Sequence, residues 1–137
     1  IRQIISDNDL DNYTHFLGDL DEKTLLAYQQ HCDMVVLNKV DSIQNRYNFA
    51  TKLGEYMALG KPVIATSIGE MSKFLISNQN FIEIEQNSPS EIVKAIIYLM
   101  NNPEKKRQIG ENGRILAKDN FDFKRHGLRL SDFLMHL

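Results

Sequence analysis

Short apolar runs alternate along this chain with longer amphipathic stretches. Ile1 to Ser6 read as the end of a helix, followed by the polar stretch Asp7 to Asn12. Tyr13 to Leu17 read as a strand closed by Gly18. Asp21 caps a helix running to about Cys32, with Leu25, Leu26 and Tyr28 as its apolar residues. Asp33 to Leu37 form a nearly continuous apolar strand of the kind covered on both faces in a parallel sheet. A polar loop from Asn38 to about Ala50 leads to a helix from Thr51 to Leu59. Thr51 stands as its N-cap, Gly60 as its left-handed C′ residue, and Pro62 prevents continuation. Pro62 to Thr66 are the third strand, a short helix follows near Glu70 to Ser77, and Phe81 to Ile84 are the fourth strand.

Ser88, Pro89 and Glu91 predict a helix start with a capping box. Ile92, Val93, Ile96, Ile97, Leu99 and Met100 form its expected buried face. Asn102-Pro103 opens another helix, with Ile109, Leu116 and Ala117 on its apolar side. Phe121 to Leu137 read as a last helix with exposed Lys124, Arg125 and Arg129. No internal repeat or low-complexity tract appears. Strands separated by helices imply βαβ units, so the expected fold is α/β: a Rossmann-like parallel sheet with helices on both faces. Ligands in such sheets bind beyond the carboxyl ends of the strands. That rule points to three loops, Gly18 to Asp21, Asn38 to Thr51 and Ser67 to Glu70.

Composition narrows the picture. The 137 residues suit one domain with a core of its own, and 42% hydrophobic with 25% charged residues is ordinary for a globular domain. A net charge of −2 gives no reason to expect nucleic acid as a partner. No apolar run has the length of a membrane helix and no signal-peptide pattern is present. The single Cys32 reads as a small buried hydrophobe. The expected setting is cytoplasmic, with attachment at the inner face of a membrane through a missing part left open.

The informative segment runs from Tyr47 to Thr66. A loop at a strand's carboxyl end enters a helix whose first N–H groups lack intrahelical partners and carry partial positive charge, a natural anion site. Lys52 lies in the first turn, where a cation opposes the dipole unless an anion is bound. Gly54 lies there too, and either a close-approaching ligand or close helix packing explains it. Taken alone, each feature is more often structural than functional: Lys52 can point to solvent and Glu55 can simply complement the dipole.

Glu55-Tyr56-Met57-Ala58-Leu59-Gly60-Lys61-Pro62-Val63-Ile64-Ala65-Thr66 resembles the central motif of glycosyltransferase family 4, the large group 1 set of GT-B enzymes. Thr51-Lys52-Leu53-Gly54-Glu55-Tyr56 is similar to a form seen in one branch of that family. Phe16-Leu17-Gly18, Cys32 to Leu37, Ile68-Gly69-Glu70, Ile109 to Arg114 and Phe121 resemble its other landmarks in order and spacing. The resemblance implies the C-terminal, donor-binding domain of a glycosyltransferase over residues 1–137. Its start reads as missing, and residues 122–137 form a terminal helix packing back toward an absent N-terminal acceptor domain.

The resemblance further implies a nucleotide-diphosphate sugar as donor and a glycan or lipid-linked acceptor, as in cell-envelope polysaccharide, lipopolysaccharide or glycolipid synthesis. Glu55 matches the carboxylate that binds the donor ribose, and Ala50, Thr51, Lys52 and Leu53 match the stretch that holds the diphosphate. Glu55 and Lys52 are therefore the catalytic candidates, with Tyr47, Asn48 and Gly18 as further donor contacts. Tyr47 stands where the family's first Glu, which contacts the transferred sugar, is expected. Asn48, Arg46 or Asp41 would supply polar contacts there instead. No cofactor or metal is expected: the four histidines are scattered along the chain and Cys32 stands alone. His15 reads as a packed residue, and His31, His126 and His136 as surface residues. Two alternatives remain: a Rossmann-like binding or interaction module without turnover, and a nucleotide-sugar epimerase.

Overall fold

Val63, Ile64 and Ala65 form β2 (Val63–Ala65), buried along its whole length because it is the middle strand of the sheet. It pairs in parallel with β1 (Val35–Leu37) on one side and β3 (Ile82–Glu83) on the other. Residues 1–48 and 51–136 are described in this computed structural model; Phe49, Ala50 and Leu137 lie outside them. The helices are α1 (Arg2–Asp7), α2 (Glu22–His31), α3 (Ile43–Tyr47), α4 (Thr51–Ala58), α5 (Pro89–Asn101), α6 (Pro103–Asn120) and α7 (Phe123–Met135), with a 3-10 turn at Glu70–Lys73.

Alternation along β2 sends its side chains to two separate cores. Val63 and Ala65 pack with Leu53 and Met57 of α4, Met71, Phe81 and Ala117. Ile64 packs with Ile82, Ile84, Ala95, Leu99 and Ile109. α6 reaches both cores, through Ile109 in one and Ala117 in the other. The expected α/β sheet, covered on both faces, is thus present.

α4 ends as its sequence demands. Gly60 has φ 71°, its N–H donates to Met57 O at 2.8 Å, and the Lys61 N–H donates to Tyr56 O at 3.1 Å. These two bonds form a Schellman motif, which favours glycine at the left-handed position. The turn lies directly on α6. A Cβ at Gly110 would stand 2.2 Å from the Gly60 carbonyl oxygen, so only glycine lets the two segments meet.

Several expectations are corrected. Tyr13 to Leu17 form no strand: Tyr13 closes a turn, its N–H donating to Leu10 O at 3.0 Å, and no described strand lies beside the rest; Phe16 instead carries the Arg2 guanidinium 4.7 Å from its ring centroid. The loop after β1 contains α3, started by the Ser42 hydroxyl accepting from Asn45 N–H. Thr51 is helical within α4 and not its cap. Asp21 does cap α2, accepting from Thr24 N–H at 3.0 Å.

The capping box at α5 does not form. Glu91 turns its carboxylate to the Glu85 N–H at 2.7 Å, and Ser88 makes no side-chain cap bond. Of the expected α5 face only Leu99 is fully buried; Ile92 and Ile96 are half-buried, while Val93, Ile97 and Met100 are exposed. Ala95, too small to stand out in a sequence, is the second buried residue. Cys32 is half-buried, its thiol donating to Gln29 O at 3.2 Å. α1, α2 and α7 contain no buried residue.

Gly110→Ala is expected to lower unfolding free energy by roughly 1–3 kcal/mol, the usual cost of overpacking a closed contact. Urea denaturation monitored by circular dichroism checks this. An unchanged midpoint and slope would show that α6 can withdraw from Gly60 without cost.

Candidate functional site

Leu53 and Met57 anchor α4 in the core, and this fixes where its first turn lies. Leu53 is buried as a whole residue, 3% exposed. Thr51, Lys52 and Glu55 are exposed on the same helix. Among the described residues, the N–H groups of Thr51, Lys52 and Leu53 donate to no protein acceptor. Every α-helix leaves its first N–H groups without intrahelical partners, and the dipole adds partial positive charge there.

A cleft of about 570 Å³ opens along this helix, between α4 and the C-terminal part of α6. Thr51, Gly54, Glu55 and Ala58 line one wall; Arg114, Ala117, Lys118, Phe121 and Asp122 line the other. Both walls show the i, i+3, i+4, i+7 spacing of one helix face. Gly54 faces Phe121: a Cβ there would stand 3.4 Å from its ring, an ordinary van der Waals contact. Phe121 is held in turn by Phe74, edge to face at 5.3 Å between centroids.

The charged groups around the cleft differ in engagement. Arg114 is paired with Glu111 at 2.8 Å, whereas Lys52 and Lys118 form no ion pair among the described residues. Asp122 caps α7 by accepting from Lys124 N–H at 2.8 Å. Glu55 accepts no hydrogen bond from the described residues, which leaves its carboxylate available to hydroxyl donors.

A second open cleft, of about 710 Å³, lies at the carboxyl ends of β2 and β3 and is lined by Glu83, Glu85 and Glu91 with Thr66, Ser67 and Gln86. Three carboxylates there would repel a diphosphate. The start of α4 carries Lys52 and first-turn amides that meet no acceptor among the described residues.

The structure brings together only part of the predicted set. Thr51 and Glu55 line the α4 cleft, and Lys52 and Leu53 share its first turn. Tyr47, 84% exposed, ends α3, and Asn48 is its C-cap. Ala50 lies outside the described residues. Gly18 is not brought to the site: it is exposed, has φ 63°, and no hydrogen bond among the described residues joins residues 1–32 to α4. The expectation that it contacts the donor has no geometric support here. His15 is exposed rather than packed, beside Arg2, Asp11 and Thr14. His31, His126 and His136 lie at the surface as expected. Arg114, Lys118 and Asp122 were not identified as site residues; the helical spacing that matches α6 to α4 was their signal.

A family model described as "Glycosyl transferases group 1" matches residues 1–116. The chain belongs to the group 1 glycosyl transferases. This group 1 chain is 28% identical over 118 residues to an uncharacterized glycosyltransferase of Methanocaldococcus jannaschii, covering 86% of the chain and 32% of that relative. It is 25% identical over 138 residues to the trehalose synthase of Pyrococcus horikoshii, covering 100% of the chain and 31% of the relative. The chain thus spans about a third of the length of these curated relatives.

Solved structures share the fold of this group 1 chain. HepE of Anabaena, crystallised in complex with UDP, superposes with a TM-score of 0.83 at 23% identity, over 99% of this chain and 36% of that one. The sucrose-phosphate synthase of Thermosynechococcus elongatus gives 0.80 at 21% identity, over 98% of this chain and 33% of that one. Among the described residues no helix is long and apolar enough to cross a membrane, and no group of three or more His, Cys, Asp or Glu could hold a metal ion.

The loop before α4 is stiffened by an ion pair. Arg46 grips the Asp41 carboxylate with two hydrogen bonds of 2.5 and 2.6 Å, which hold the Asp41 pKa below its ordinary value of 3.8. A depressed folded-state pKa stabilises the pair above the unfolded value, and this is lost as pH falls through the folded value. The Asp41 carboxyl is therefore expected to titrate below 3.8 in the native protein and to return to its ordinary range in Arg46→Gln. Carbon-detected NMR of the side-chain carboxyl checks this; identical midpoints in the two proteins would show that the pair does not form.

Proposed function

We propose that this chain is the donor-binding part of a glycosyltransferase, moving a sugar from a nucleoside-diphosphate sugar to an acceptor hydroxyl. The observation that carries the reading is the first turn of α4, whose amides, Lys52 and Glu55 meet no partner among the described residues, in a chain of the group 1 family. The match to a protein crystallised with UDP supports a nucleotide as the donor's leaving part.

In this reading the first-turn amides and Lys52 bind the diphosphate. Glu55 accepts hydrogen bonds from the two ribose hydroxyls, a bidentate role suited to a carboxylate. During transfer the bond from the anomeric carbon to the phosphate oxygen breaks, and the electron pair leaves with the nucleoside diphosphate. The acceptor oxygen forms the new bond and loses its proton. Negative charge grows on the leaving diphosphate, where a helix N-terminus and a lysine stabilise it without reorganising. Tyr47 and Asn48, at the end of α3, are the further donor contacts in this reading.

The acceptor would be held by the remainder of the protein, in keeping with the third of relatives' length that this chain spans. α7 supplies an apolar stripe for docking that remainder: Phe123, Leu130, Phe133 and Leu134 are all exposed on one helix face.

Glu55→Ala in the complete protein is expected to weaken nucleoside-diphosphate binding by roughly 1–3 kcal/mol, the size of a lost charged hydrogen bond with its partner left unpaired. Isothermal titration against UDP, GDP and ADP measures it. Affinity equal to the parent's would remove Glu55 from the ribose. No binding of any of the three by the parent would refute the donor reading.

A further inference from the structure

The loop between β1 and α4 is fastened to the sheet at three points. The first is Thr66, immediately past β2 and 8% exposed. Its hydroxyl accepts from the Lys39 N–H at 3.0 Å and donates to the Lys39 carbonyl at 3.0 Å. Its own N–H donates to Leu37 O at 3.3 Å, the last rung of the β1–β2 ladder. One side chain thus takes over from the backbone where β1 ends, satisfying both polar groups of a residue that has left the sheet.

The second fastening joins the Asp41 N–H to the Gln86 side-chain oxygen beyond β3. The third is steric. Gly69, with φ 76°, lies under the end of α3, where a Cβ would stand 2.5 Å from the Asn45 carbonyl oxygen. Arg46 and Asp41 close the loop between these points.

We propose that Thr66 is a positioning residue for the donor site. By holding both sides of Lys39 it sets the direction in which the chain leaves the sheet, and thereby where α3 places Tyr47 and Asn48, the donor contacts that precede α4 in the chain. Thr66 does not touch the donor; it acts through the loop. The inference rests on the donor reading above. Preorganised groups lose much of their effect when displaced by about 1 Å. Loss of the hydroxyl leaves valine's similar shape in the core and frees the loop.

The test uses the complete protein with Thr66→Val, which keeps the volume, and Thr66→Ser, which keeps the hydroxyl. Thr66→Val is expected to raise the donor KM about tenfold, the scale of a lost buried hydrogen bond, while acceptor KM and kcat at saturating donor stay within about twofold. Thr66→Ser is expected to restore donor KM to within about twofold of the parent. A merely structural hydroxyl would lower the thermal midpoint without separating donor from acceptor KM. A folded Thr66→Val with unchanged donor KM, or with both KM values raised together, overturns the proposal.

If Thr66→Val does not fold, Gln86→Ala releases the second fastening from an exposed position. It must raise donor KM selectively, and failure to do so overturns the proposal as well. Titration with UDP, GDP and ADP separates the two levels. A parent protein that binds none of them refutes the donor reading and the positioning role together. A parent and Thr66→Val that bind one of them equally well refute the positioning role alone.

Discussion

The seam where Leu53 and Met57 of α4 pack on Val63, Ala65 and Phe81 is the constraint from which the rest of the structure follows. It fixes the axis of α4 against the sheet, so the helix start falls beyond the strands' carboxyl ends. Gly60 and Gly110 then bring α6 against the far end of the same helix, and the two helix faces diverge into the cleft that holds Thr51 and Glu55. Burial of Leu53 and exposure of Lys52 are two consequences of one helical orientation. The core residue supplies rigidity, and its neighbours supply chemistry.

Electrostatics favour one of the two open clefts. The carboxylates of Glu83, Glu85 and Glu91 make the strand-end cleft hostile to phosphate, although it is the larger and lies where the general rule for α/β sheets would place a ligand. The α4 start combines a dipole's positive end with an unpaired lysine and faces no such cluster. Fold topology alone leaves both places open; charge distinguishes them.

Legibility in the sequence followed how local each signal is. The α4–β2 unit was readable because its determinants are adjacent: an apolar period, Gly60 at a left-handed turn, Pro62, then a run of β-formers. The Asp21 cap was readable for the same reason. Tyr13 to Leu17 were misread because a strand needs a partner, and no composition reports whether one lies alongside. Glu91 has the right spacing for a capping box, yet the Glu85 N–H competed for its carboxylate. α3 was missed because five residues carry too little periodicity to stand out in a polar loop. Near α4, the exposed positions of Glu55 and Lys52 were legible through helix geometry. Lys118 lies on α6 and Asp122 caps α7, both far along the chain, and Gly18's expected approach depends on tertiary placement that no local pattern reports.

The central claim is that the first turn of α4 binds the diphosphate of a nucleotide. Titrating the isotopically labelled complete protein with UDP and following backbone amide resonances tests it most directly. The account predicts that the largest shifts fall on the N–H groups of Thr51, Lys52 and Leu53, with a smaller response at Glu55. Shifts confined to Glu83–Glu91, or no response along α4 while UDP binds elsewhere, would contradict it.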